Sequence, residues 1–149
     1  MQDIAKPALN PQVIGQTESA LGALLTPVLQ EAGRTFEQWL VLTVATAGGG
    51  AQDHAQLVAR IAKARKIAPA GVAAAIAELT ALGAVANEAG QVRLTATGQT
   101  MHQAVRSRID EVTAGIFDFS ADELAIAGRV LATVTDRVNA FLAGHAAAA

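Results

Sequence analysis

The chain has 149 residues, 52% of them hydrophobic, a net charge of −2 and no cysteine. That length suffices for one domain with its own core, and the lack of cysteine excludes a disulfide frame, a thiolate metal site and a thiol nucleophile. Met1–Lys6 shows no basic flank followed by an apolar run, and no stretch approaches the ~18 apolar residues of a membrane span. The expectation is a soluble, cytoplasmic protein without a signal peptide and with no membrane contact.

Alanine dominates the apolar fraction, which favours helix over sheet. Asn10-Pro11 reads as a helix start, Asn as N-cap and Pro at the first helical position. Ile14, Leu21, Leu24, Leu25 and Val28 follow at helical spacing, and Gly33 closes the element. Thr35-Phe36-Glu37-Gln38 is a capping box opening a second helix through Trp39, Leu42 and Val44, which Gly48-Gly49-Gly50 ends. Asp53 caps a third helix with Leu57, Val58 and Ile61 on its inner face.

Pro69 begins a fourth helix. Its stripe is Val72, Ile76, Leu79 and Leu82, and Gly83 stops it. From Ala84 to Leu94 the texture changes: Val85, a polar turn at Asn87–Gly90, then Val92 and Leu94 alternating with Arg93 predict a β-hairpin. Thr95 or Thr97 caps a fifth helix carried by Met101, Val105, Ile109, Val112 and Ile116. Ser120-Ala121-Asp122-Glu123 is a second capping box, with Phe119 placed to staple onto Leu124. The last helix repeats Leu124, Leu131 and Val138, and again Ala127, Val134 and Phe141, two heptad-spaced series that form a seam wanting a partner helix. Ala146–Ala149 reads as frayed.

The fold class is therefore mainly α with a small β-hairpin wing: a winged helix-turn-helix over residues 35–96, flanked by helical dimerisation segments at 11–33 and 97–143. Outer helices this long cannot bury their stripes on so small a core, and a homodimer is the simplest remedy.

Charge is unevenly spread. Residues 53–94 hold Arg60, Lys63, Arg65, Lys66 and Arg93 against Asp53, Glu78 and Glu88, a local +2 within a body of −4. Arg60, Lys63, Arg65 and Lys66 suit phosphate contacts; equally, they suit a solvated face with cations drawn to a helix C-terminus by the dipole. Trp39 suits an aromatic-ligand wall or simple core. His102 and Arg106, four residues apart, suit an anionic ligand or an exposed pair. His54 and His145 lack companions at metal-ligand spacing, so neither a metal nor another cofactor is expected. Asp110-Glu111 and Asp122-Glu123 point to different helix faces, and no nucleophile–base pattern appears, so the chain is not read as an enzyme.

Three stretches resemble the MarR family of transcriptional regulators. Gly33-Arg34-Thr35-Phe36-Glu37-Gln38-Trp39-Leu40-Val41-Leu42 resembles the family's entry into its second helix. Ile76-Ala77-Glu78-Leu79 with Leu82-Gly83-Ala84-Val85 resembles the end of its recognition helix, and Leu94-Thr95-Ala96-Thr97-Gly98 resembles the LTxxG signature closing its wing. The resemblance covers about residues 14–142. It implies a single MarR-like domain, 1–149, forming a two-fold homodimer on pseudo-palindromic double-stranded DNA. It also implies that Ala70, Gly71 and Ala74 of the fourth helix enter the major groove and the wing's Arg93 meets the adjacent minor groove. A small aromatic or anionic effector is implied between the lobes, near Trp39, His102 and Arg106. The fourth helix presents mostly alanine, which reaches a thymine methyl but forms no bidentate base contact. The alternative is a MarR-like homodimer without specific DNA binding that serves as a small-molecule or protein-binding module.

Overall fold

The computed structural model describes residues 8–148, so Met1–Lys6 lies outside the described residues, as does Ala149. Its order is α1 (Pro11–Glu31), α2 (Phe36–Gly48), β1 (Gln52–Asp53), α3 (His54–Arg65), α4 (Pro69–Ala81), β2 (Val85–Glu88), β3 (Gln91–Leu94), α5 (Ala96–Thr113) and α6 (Ala121–Ala147). Two compact units result, one ending at Val112 and the other beginning at Thr113. Among the described residues, no helix is long and apolar enough to cross a membrane.

The helix starts form where the capping residues stand. Asn10 accepts the Val13 amide, and Asp53 accepts the Gln56 amide at 3.0 Å. Thr35 accepts from the Gln38 N–H while Gln38 Oε1 accepts from the Thr35 N–H, closing the box at α2. Each such cap stabilises by about 1 kcal/mol. α4 is the exception, because Ala68 offers no side-chain acceptor.

α2 lies at the centre of the first unit, with Gln38 to Leu42 and Ala45 all buried. Leu40, Val41 and Leu42 pack with Leu57 and Ile61 of α3, Val72, Ile76 and Leu79 of α4, and Val85 and Val92 of the sheet. A smaller cluster joins Val28 and Leu29 of α1, Trp39 of α2 and Val105 of α5, and Phe36 packs against both clusters.

The wing extends beyond the expected hairpin. β2 and β3 pair antiparallel, Val85 opposite Leu94 and Glu88 opposite Gln91, across a two-residue turn at Ala89-Gly90. Both turn residues have positive φ, +51° and +74°, which matches the right-handed twist of the strands. β1 adds to the other edge of β3, giving a three-stranded sheet ordered β1-β3-β2. Two residues of β1 carry no readable alternation, and only the pairing of Gln52 with Val92 and Asp53 with Gln91 makes them a strand.

Some expected core positions differ. Leu82 is 47% exposed, because α4 ends at Ala81 and Gly83 turns the chain in the left-handed region; Ala75 takes its place in the stripe. Leu21 is also exposed, and Leu29 is buried instead. Ile116 lies past the end of α5, which stops at Thr113 before the left-handed Gly115. Thr95, not Thr97, caps α5: its hydroxyl accepts the Gly98 amide and donates to Gly83 O at 2.6 Å.

α6 forms a unit with the turn before it. Ser120 and Glu123 make the expected reciprocal box, and the Ser120 amide holds the Glu123 carboxyl below the usual carboxylate range. Helix persists through Ala147 rather than fraying at Ala146. Leu124, Leu131, Val134, Val138 and Phe141 of its seam are all exposed, and so is Phe119.

Candidate nucleic-acid interface and its coupled cleft

The basic residues gather where α3 turns into α4. Arg60 and Lys63 are exposed one helical turn apart, with Arg65 and Lys66 at the helix end. Arg60 donates to Gln52 Oε1, which ties the α3 cation to β1. The Arg65 guanidinium stands over the Phe36 ring, 5.3 Å from its centroid. Lys66 caps α3 in the left-handed conformation and donates from Nζ to Lys63 O. Arg93 is exposed on β3 between the buried Val92 and the half-buried Leu94.

α4 itself is nearly without chemistry on its open side. Ala70, Gly71, Ala74, Ala77 and Ala81 are exposed, and the hydroxyl of Thr80 is turned onto its own helix at Ile76 O. Glu78, the helix's one charged side chain, accepts from Gln38 Nε2 at 2.6 Å. Gln38 is 6% exposed, and its Oε1 also accepts from Arg34 Nη1. Glu37 Cγ lies 4.0 Å from where a Cβ on Gly71 would stand, so the first turn of α2 rests on both halves of α4.

The next residue of α2 faces the other way. The Trp39 indole stacks on the His102 ring, centroids 5.0 Å apart and planes 11° from parallel. Burial, aided by the charge of Arg106, holds the His102 imidazole below its ordinary pKa, so the ring is neutral at neutral pH. Beside the stack a cleft of about 300 Å³ is lined by Thr46, Gly49, Leu94, Gln99, His102 and Gln103. Trp39 and His102 are thus brought together, while Arg106 is paired outward with Asp110 at 3.2 Å.

Sequence reasoning missed the Gln38–Glu78 bond and the Phe36–Arg65 contact. Gln38 was legible only as a capping residue. The available signal was a lone charge, Glu78, on an otherwise alanine-faced helix.

The helix order, the α3–α4 turn and the three-stranded wing decide the architecture. The chain has the MarR winged-helix fold. Ligand-free NadR superposes with a TM-score of 0.71 at 21% identity, covering 90% of this chain and 98% of that one. NadR in complex with 4-hydroxyphenylacetate gives 0.70 at 20%, covering 86% and 96%. The MarR family protein Rv2887 of Mycobacterium tuberculosis, in complex with DNA, gives 0.62 at 20%, covering 86% and 98%. No sequence-family model matches the chain, and no curated protein does. At these identities the likeness to MarR proteins is one of fold.

Proposed function

We propose that this MarR-fold chain is a cytoplasmic, homodimeric transcription regulator that binds double-stranded DNA and responds to a small ligand. The observation that carries the reading is the exposed cluster Arg60, Lys63, Arg65 and Lys66 at the entry to an equally exposed α4, with Arg93 on the wing. Cations on either side of a groove-entering helix anchor it to phosphates. The alanine face of α4 then leaves selectivity to thymine methyls and to DNA shape.

Two further features support the rest. The exposed apolar seam of α6 is a surface a second copy would cover, and a two-fold dimer would match a pseudo-palindromic site. The Trp39–His102 stack and its adjoining cleft suit an aromatic or anionic effector. The solved relatives bound to DNA and to 4-hydroxyphenylacetate make both partners reasonable chemistry for this fold.

The test is a gel shift over a salt series, using fragments of the surrounding genome and unrelated competitor DNA. Retardation that weakens with salt and favours one fragment is expected. If no fragment is retarded even at low salt, the alternative takes over: a MarR-like homodimer whose bare α4 face contacts a protein or whose cleft only holds a ligand.

A further inference from the structure

We propose that the first turn of α2 couples the Trp39–His102 stack to both DNA-facing helices, with buried Gln38 as the residue that positions α4. Four consecutive side chains make the junction. Phe36 packs against both core clusters and lies under Arg65 of α3. Glu37 borders Gly71 at the start of α4, and Gln38 holds Glu78 near the helix's end. Trp39 carries the imidazole of His102 on its face.

The four side chains leave one helical turn, so a movement of that turn as a body displaces all of them together. Rotation of α2 that opened the stack would draw Gln38 away from Glu78. The bond between them is short and charge-assisted, and it ties a buried donor, Gln38, to a carboxylate at the surface of α4, so losing either partner loosens that helix. Gln38 Oε1 also accepts from Arg34 and from the Thr35 amide, so the same carboxamide fixes the α2 cap and the α4 pose. Whatever changes the stack therefore has a mechanical path to Arg65 and to α4. For its biological consequence this rests on the DNA-binding reading; the linkage itself does not.

The groups facing His102 are the Trp39 indole from α2, Arg106 on its own helix, and the uncharged cleft residues Thr46, Gln99 and Gln103. Trp39 is the only tryptophan, and a protonated imidazole stacked on an indole quenches it. The emission of the intact protein thus titrates His102, with His102→Ala as the control that removes the step. Glu78→Ala and Gln38→Leu are each expected to move the midpoint by ~0.5 pH unit, about threefold in proton affinity, while Glu78→Gln, which keeps an acceptor, leaves it in place.

DNA affinity gives the second arm. His102→Ala is expected to change Kd about threefold or more in the wild-type background and not at all beside Gln38→Leu. Unmoved midpoints in folded Glu78→Ala and Gln38→Leu proteins would overturn the linkage, whatever the DNA result. Moved midpoints in a protein that binds no DNA would uphold the linkage and sink the DNA-binding reading alone.

Discussion

A Cβ placed on Gly98 would overlap the Ala84 carbonyl oxygen and stand 2.6 Å from Leu94 Cδ1. The same carbonyl accepts the Thr95 amide at 3.1 Å, and the Thr95 hydroxyl accepts the Gly98 amide. The end of the wing is thus clamped onto the start of α5 by a hydroxyl and a missing side chain. Gly98→Ala is expected to cost about 3 kcal/mol, since the clash is with backbone that cannot rotate away. Gly15→Ala, in α1 with nothing within 4 Å of its Cβ, is expected to gain about 0.5–1 kcal/mol. Urea unfolding of the two variants checks the opposite signs.

Two alanines sit where their backbone or position asks for something else. Ala89 holds φ at +51° in the wing turn, and Ala68 leaves α4 without a side-chain cap. Ala89→Asn, giving Asn-Gly at a turn with two positive φ values, is expected to stabilise by about 1 kcal/mol. Ala68→Ser should add about 1 kcal/mol by supplying the acceptor. Thermal melts of the single and double variants should show additive gains, because the sites share no partner.

Replacing Arg60 or Lys63 by Gln is expected to lower the slope of log Kobs against log salt by ~0.9 for each phosphate the side chain no longer neutralises. Ala74→Gly should leave that slope unchanged and alter only the preference among sequences. Fluorescence anisotropy across a salt series, with two competing duplexes, separates the effects.

Burial holds His102 below its ordinary pKa, with Arg106 adding to the effect. The unfolded chain therefore binds the proton more readily. The stability tied to His102 is present in full above about pH 6.5 and is lost as pH falls through the lower folded value. His102→Asn should flatten this part of a stability–pH curve. The carboxyl of Glu123, held low by Ser120, acts in a separate window below about pH 4.5 with the same sign.

Leu131→Asp places a charge in the middle of the exposed α6 seam. Sedimentation equilibrium is expected to show a dimer for the parent chain and a monomer for this variant. A parent chain that sediments as a monomer would remove the assembly proposed for it.

The elements were legible because their signals are local. Asn10, Thr35, Asp53 and Ser120 cap the helices they were expected to cap, and the inner stripe of α4 is buried at Val72, Ile76 and Leu79. Periodicity and capping depend on neighbours three or four residues away, so the chain alone states them. The LTxxG stretch was visible as a resemblance, while its reason, the space denied at Gly98 by Ala84, needed coordinates. β1 was invisible because a two-residue strand exists only through its partner.

The winged helix and the heptad-spaced seam of α6 were thus written in the sequence, and so was the basic centre around Arg60 to Lys66. Tertiary structure decided what those parts do to one another. It bonded the exposed Glu78 to a buried glutamine forty residues away, and it laid His102 of α5 on Trp39 of α2. Contacts of that separation depend on how helices cross, and helix crossing is set by the shape of a whole core rather than by any window of the chain.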